Sequence, residues 1–187
     1  MHCLVPGAVV TELKDLTLEV GCGQSRKHSV RLDFSPGTAA NVIGDAANLP
    51  FRSGSFRLVC ASFLFEHLQN PQAALREWRR VLAANGFVDI VTDNASHWRF
   101  HVHFPRWLCI PNTHQDYRGT SDHDKHFALY LPMHLQNHLV AAGFVAIRLS
   151  VFNVFPLSRP LEWLGLRSIA AASVRATGRK AAGRDRS

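Results

Sequence analysis

The stretch Leu16-Thr17-Leu18-Glu19-Val20-Gly21-Cys22-Gly23 decides how this chain is read. Its first part is an apolar run that reads as a short buried strand, and two glycines one residue apart stop it. Glycine stands where the backbone must turn sharply or let a ligand approach closely. Working outward, Val30-Arg31-Leu32-Asp33 and Asn41-Val42-Ile43-Gly44-Asp45 are two further strand-like runs, each ending in a carboxylate. An open parallel sheet offers binding groups to a nucleoside-sized ligand in this way, in the crevice beyond the carboxyl ends of its strands.

The segments that follow extend the pattern. Residues 56–62 predict another buried strand. Asn70 is a good helix N-cap and Pro71 a good first helical residue. Ala74, Leu75, Trp78, Val81 and Leu82 then form one apolar stripe. Arg76, Glu77, Arg79 and Arg80 lie largely off that stripe and read as a solvated face. Asn85-Gly86 ends the helix, and Phe87 to Val91 is the next strand. Strand alternating with helix argues for a mostly parallel sheet, an α/β fold. Only six residues separate Gly23 from Val30, whereas a crossover between parallel strands normally takes a dozen or more. The first helix is therefore expected to shrink to a turn or to give way to a loop.

Two nucleotide-binding classes are not supported. A dinucleotide fingerprint needs a third glycine where Arg26 stands, and an acidic residue later than Asp33. A triphosphate loop would need Gly-x-x-x-x-Gly-Lys-Ser/Thr, which does not occur. The chain instead resembles class I S-adenosylmethionine-dependent methyltransferases. The resemblance rests on Leu18-Glu19-Val20-Gly21-Cys22-Gly23, Asp33, Gly44-Asp45-Ala46-Ala47-Asn48-Leu49-Pro50-Phe51, Ser55-Phe56-Arg57-Leu58-Val59 and Phe65-Glu66-His67-Leu68. A helix ending Arg80-Val81-Leu82 and then Asn85-Gly86-Phe87 follow in the family's order, so residues 14–92 are covered.

The resemblance implies a Rossmann-like, doubly wound sheet and S-adenosylmethionine as cofactor. It implies that Gly21, Cys22 and Gly23 pass beside the methionine part and that Glu19 positions this loop and the cofactor's ammonium group. Asp33, with Phe34 after it, would accept the ribose hydroxyls, since a carboxylate can take two hydrogen bonds. Asp45 and the backbone of Ala46 would read the adenine edge, and Ala61 and Ser62 would contribute mostly backbone to the methionine moiety. The same residues also suit a bare tight turn, an aspartate turn before Ser35-Pro36-Gly37 and a strand-end turn. Glu66-His67 follows the fourth strand beside the methyl-donor pocket. His67 suits a general base, because histidine titrates near neutrality, or it orients the substrate; the pair also suits a cap on the next segment. Methyl transfer from a sulfonium mainly requires alignment, and a base only where the acceptor carries a proton.

From Thr92 to His126 periodicity fails, although Trp98, Phe100, Phe104, Trp107 and Tyr117 make the segment too aromatic for a plain linker. Long loops of this kind are usually lids or binding elements. Residues 93–126 are therefore expected to form a substrate lid, with Asp93, His97, Trp98, His101, His123 and His126 as candidate substrate-binding residues. Eight of the eleven histidines lie between His97 and His138. Neither His97-x-x-x-His101-x-His103 nor His123-Asp124-Lys125-His126 matches a zinc spacing, and no metal is expected. No Asn/Asp-Pro-Pro-Tyr/Phe motif supports methylation of nucleic-acid bases. The expected acceptor is a small molecule, a glycan or a lipid intermediate. The rivals are a protein that binds the cofactor without catalysis and an RNA methyltransferase.

Leu131, Leu135, Leu139 and Ala142 predict a helix stopped by Gly143, and Phe144 to Phe152 a strand. No convincing last strand of the closing hairpin is legible, so that hairpin is expected to be incomplete. Residues 156–174 read as an apolar helix, with Phe155, Leu157, Leu161, Trp163, Leu164 and Ile169. The expected organisation is a lead-in over 1–15, a methyltransferase domain over 16–152, and an apolar helix with a basic tail over 153–187.

Formal charge is +7. Six basic residues after Leu166 face one acid, Asp185, which reads as a solvated tail or as a patch for anionic surfaces. Peripheral membrane contact through 155–175, or cover of an open sheet edge by those residues, is expected; nucleic acid is not. The four cysteines, Cys3, Cys22, Cys60 and Cys109, form no Cys-x-x-Cys and are expected as free thiols in a reducing cytoplasm. No apolar run approaches the ~20 residues of a membrane span, and the N-terminus lacks the features of a secretory signal.

Overall fold

The computed structural model describes residues 16–98, 126–154 and 156–182. Seven strands form one sheet: β1 (Thr17–Val20), β2 (Val30–Asp33), β3 (Val42–Ile43), β4 (Phe56–Ser62), β5 (Leu82–Asp93), β6 (Phe144–Val154) and β7 (Ala171–Lys180). Their order across the sheet is β3-β2-β1-β4-β5-β7-β6. β1 to β5 are mutually parallel where they pair, and β7 is antiparallel to both β5 and β6. The mostly parallel, Rossmann-like sheet is the one expected.

The short β1–β2 connection contains no helix. Two helices, α1 (Pro71–Val81) and α2 (Pro132–Ala141), carry the core. Asn70 caps α1, its Oδ1 accepting from Ala73 N at 3.0 Å, and Pro71 occupies the first turn. Ala74, Leu75, Trp78 and Val81 on α1, and Leu135 and Leu139 on α2, join Leu18, Val20, Val59, Val88, Ile90, Phe144, Val174 and Ala176 from the sheet in a single core. The two helices touch through Gln72 Nε2, which donates to His138 Nδ1 at 2.7 Å. That bond makes Nδ1 the acceptor and puts the neutral ring's proton on Nε2. Burial, with His134 as a smaller cause, lowers the pKa of His138 and favours this neutral form.

The expectation of an incomplete hairpin is corrected. Residues 171–180 form an inner strand, β7, paired with β5 from Phe87–Arg179 to Asp93–Ser173 and with β6 from Phe144–Lys180 to Val154–Ala171. The apolar helix expected over 156–174 is reduced to a 3₁₀ turn at Pro156–Ser158, α3 (Arg159–Trp163) and α4 (Arg167–Ala170). Nor is the basic segment a solvated tail throughout. Arg175 Nε donates to Asp89 Oδ1 at 2.7 Å, and the buried Lys180 donates from Nζ to Leu82 O at 2.9 Å. The edge-cover reading falls too, because this part of the chain supplies the strand itself.

A second correction concerns α1. Glu77 and Arg80 are not merely a wetted face. Arg80 donates to Leu49 O (3.0 Å) and Phe51 O (2.8 Å), and Glu77 Oε2 accepts from Leu49 N (3.0 Å). The two side chains also pair, Nε to Oε1 at 2.7 Å. Trp78 Nε1 donates to Ala46 O at 3.0 Å. Three side chains of α1 thus fix the loop after β3.

The hydrogen bond from Arg80 holds the Glu77 carboxyl below its ordinary range. A carboxylate whose pKa is lowered on folding adds stability above its unfolded value, and that stability is lost as pH falls through the folded value. Glu77→Gln should therefore cost about 1–2 kcal/mol at pH 7. The gap to the parent should begin to narrow as pH falls through ~4.3, the ordinary value for a glutamate, and close only below the lowered folded value. Urea melts at pH 7 and pH 3.5 check this; a gap that is the same at both would show that the charge contributes nothing.

Candidate functional site

The carboxyl ends of β1, β2 and β3 surround a cavity of about 700 Å³, within the usual range for a ligand site. Gly21 and Gly23 form one wall, Asp33, Phe34 and Ser35 a second, and Gly44, Asp45, Ala46 and Ala47 a third. Phe63, Leu64, His67, Leu68, Gln69, Asn70 and Phe127 complete the lining.

The glycine loop is shaped by backbone demands. Gly21 has φ +67°, and a Cβ there would stand 2.8 Å from Leu64 Cδ1. Gly21 N donates to Leu32 O at 2.8 Å, and Gly23 N donates to Asp33 Oδ2 at 2.8 Å. Asp33 Oδ1 accepts from Ser35 N at 2.9 Å. Its carboxylate thus fixes two loops and keeps one further acceptor position on each oxygen. Asp45 Oδ1 accepts from Ala47 N at 2.8 Å and makes the turn that lays Ala46 along the cavity.

Gly21, Gly23, Asp33, Phe34, Asp45, Ala46 and His67 line one cavity. Glu19, Cys22, Ala61 and Ser62 do not line it. Glu19 is buried behind the loop and accepts from Ser25 Oγ at 2.9 Å. The Cys22 thiol is buried, and burial, with Asp33 and Glu19 nearby, raises its pKa. Ala61 is buried within β4, and Ser62 is exposed at its end. Cys60 is buried on β4, its thiol pushed up to about 12 by burial. Cys22 and Cys60 are both free.

The expected lid lies mostly outside the described residues, His101 and His123 included. Its described ends are tied to the sheet rim. Asn94 N donates to Ala172 O (2.9 Å), and Ala95 N donates to Tyr130 O (3.0 Å). At the other end Phe127 N donates to Glu66 O (2.8 Å). The strap from 126 to 128 sets His126 against His67, ring centroids 4.6 Å apart and edge to face. Asp93 Oδ2 stands 4.0 Å from His126 Nδ1. Trp98 turns away from this group and donates from Nε1 to Ser158 Oγ at 2.8 Å; the buried His97 packs against Trp98.

Sequence reading missed Phe63, Leu64 and Phe127. Phe63 has φ +51° and is half exposed at the mouth, a conformation costly for a residue with a side chain. Its position directly after a strand that ends at the rim was the only available signal.

Residues 18–90 match the family profile described as Methyltransferase domain. No curated protein sequence matches the chain. Among solved structures, a SAM-dependent methyltransferase from Thermotoga maritima, described as a possible histamine N-methyltransferase, superposes with TM-score 0.67 at 18% identity, over 95% of this chain and 84% of that one. The chain has a methyltransferase fold. A SAM-dependent methyltransferase from Archaeoglobus fulgidus gives 0.64 at 15% identity, over 89% and 86% of the two chains. The Haemonchus contortus phosphoethanolamine N-methyltransferase 2, in complex with phosphomonomethylethanolamine and S-adenosylhomocysteine, gives 0.61 at 13%, over 90% of this chain and 49% of that one. At these identities the likeness is one of fold.

Gly21→Ala tests the loop. A Cβ at positive φ and against Leu64 should cost about 1–3 kcal/mol, read as a lower urea midpoint, while Gly54→Ala, where a Cβ meets nothing within 4 Å, carries only the backbone cost. Equal losses at the two positions would mean that contact with Leu64 plays no part.

Proposed function

We propose that the chain is an S-adenosylmethionine-dependent methyltransferase acting on a small-molecule, glycan or lipid acceptor. The observation that carries the reading is the cavity that Gly21, Gly23, Asp33 and Asp45 share with His67. Asp33 accepts the ribose hydroxyls on its remaining lone pairs. The Asp45 turn, with Ala46, takes the adenine edge, and the glycine loop takes the methionine portion. His67, on the same lining, serves as a base or as an orienting group for the acceptor. Glu19 acts from behind by holding the loop through Ser25.

The rival reading of a cofactor-binding protein without catalysis drew on a missing helix and a missing closing strand. β7 removes the second of these grounds. An RNA acceptor drew on the basic tail, and Arg175 and Lys180 are spent on Asp89 and Leu82 O.

Calorimetry tests the cofactor. Asp33→Ala and Asp45→Ala should each weaken S-adenosylmethionine binding by about 1–3 kcal/mol; unchanged affinity in the double variant would overturn the site. Turnover is read as S-adenosylhomocysteine released with acceptor pools. Binding without release from any pool would favour the non-catalytic reading.

One surface feature favours an acceptor presented by a lipid surface. Trp163 is 88% exposed and Leu157 84%, with Leu164 and Leu166 also exposed. Arg159 and Arg167 accompany them on α3 and α4, at the same end of the sheet as the cavity. Apolar insertion and attraction to anionic lipid add together at such a surface. Among the described residues no helix is long and apolar enough to cross a membrane. The protein should co-sediment with anionic vesicles, and Trp163→Ser with Leu157→Ser should abolish this. Recovery of the unaltered protein entirely in the supernatant would rule lipid contact out.

A further inference from the structure

Glu66, His67 and His126 each bring one ligand atom into a group in which all three lie within 4.8 Å of one another. The juxtaposition is built by the backbone. Glu66 and His67 belong to the 3₁₀ turn Phe65–His67 after β4. Glu66 O accepts from both Phe127 N (2.8 Å) and Ala128 N (3.4 Å), which sets His126 alongside the turn. Glu66 is fully buried, whereas His67 and His126 are partly exposed and His67 borders the cavity.

We propose that Glu66, His67 and His126 form a divalent transition-metal site at the acceptor end of the cavity. Two imidazoles and a carboxylate are a donor set for zinc, iron, cobalt or nickel. Bonds of ~2.1 Å to a tetrahedral ion would draw the three atoms to about 3.4 Å apart, a contraction within reach of side-chain rotation. Ligating carboxylates and imidazoles are themselves held by outer partners, and two such groups stand beside this cluster, one in hydrogen-bond contact and one just beyond it. Thr92 Oγ1 donates to Glu66 Oε2 at 2.6 Å. Asp93 places a second carboxylate 4.0 Å from His126 Nδ1. A cation also compensates the burial of Glu66 beneath the site, because an uncompensated buried carboxylate is costly. This inference rests on the proposed function for its meaning. An ion beside His67 would take an acceptor oxygen as a further ligand and ease loss of its proton to solvent, the task otherwise given to His67 as a base.

The test uses the full chain, stripped with chelator and then titrated with Co²⁺ and Zn²⁺. The expected result is one ion per chain and visible Co²⁺ bands of a nitrogen–oxygen site. Glu66→Gln, which keeps shape and the partner Thr92, and His126→Ala should each weaken binding at least tenfold. Thr92→Val should weaken it as an outer partner does, by about 10- to 100-fold. Far-UV circular dichroism checks that each variant is folded, and the unaltered protein's Co²⁺ spectrum needs no variant at all. Absence of ion binding by the unaltered protein, or binding unchanged in Glu66→Gln and His126→Ala together, would overturn the proposal. S-adenosylmethionine binding is measured on the same samples. If it persists while the metal result fails, only the metal site falls; if it is absent from the start, the methyltransferase reading falls instead.

Discussion

The connection from Gly23 to Val30 is too short to hold a helix, and the cofactor edge is built around that constraint. Where a helix would begin, its first amides point at the ligand and remain open to it. Here the amide of Gly23 is taken by Asp33 Oδ2, Ser25 N donates back to Cys22 O at 2.8 Å, and Gly23 O accepts from Ala39 N at 2.7 Å. Buried backbone groups must find partners, so a carboxylate from the neighbouring strand does what a helix start would have done. The cost is that Asp33 is committed on both oxygens before any ligand arrives. The gain is a carboxylate held rigid at the rim.

The same logic explains α1. A two-residue strand such as β3 contributes little pairing, and the loop after it has no helix of its own among the described residues. Trp78, Glu77 and Arg80 reach across to carry it, with their apolar neighbours still buried in the core. This was not legible from periodicity. A helical wheel divides residues into inward and outward faces, and Glu77 and Arg80 sit on the border. Their partners are backbone groups about 30 positions away, which no local pattern encodes. The strands β1 to β6 were legible because each carries an apolar run that leaves its own signal.

β7 shows why the rest was not. Its sequence, Ala171-Ala172-Ser173-Val174-Arg175-Ala176-Thr177-Gly178-Arg179-Lys180, holds one strongly strand-favouring aliphatic and one threonine. Strand preference is largely a matter of what a residue packs against. An inner strand pressed under α2 uses small residues on one face, and Ala176 and Gly178 are buried there. A Cβ on Gly178 would stand 3.1 Å from Phe144 Cβ and 3.5 Å from Val88 Cγ1, so the position admits little more. On the opposite face Arg175 meets Asp89 from β5. Small residues and arginines are what a solvated tail also contains, and only the pairing distinguishes them. The exposed apolar residues just before β7 drew the sequence reading toward a helix. They belong to the connection between β6 and β7.

That connection is joined to the histidine group through one residue. Asn94 follows Asp93 at the end of β5 and is fully buried. Its side-chain amide donates to Ser168 O and Ala171 O, both at 2.8 Å, and its backbone N–H donates to Ala172 O. A buried amide with both donor hydrogens engaged leaves no slack for α4 to move without Asn94 moving too. Asp93, one residue back, faces His126, which faces His67 at the cavity. The apolar surface of α3 and α4 is therefore tied by hydrogen bonds to Asn94, and from the adjacent Asp93 the path to the cavity continues by the 4.0 Å approach to His126 and its ring contact with His67. On the proposed reading, an acceptor delivered at that surface would meet groups whose positions are set by the same backbone that carries the surface.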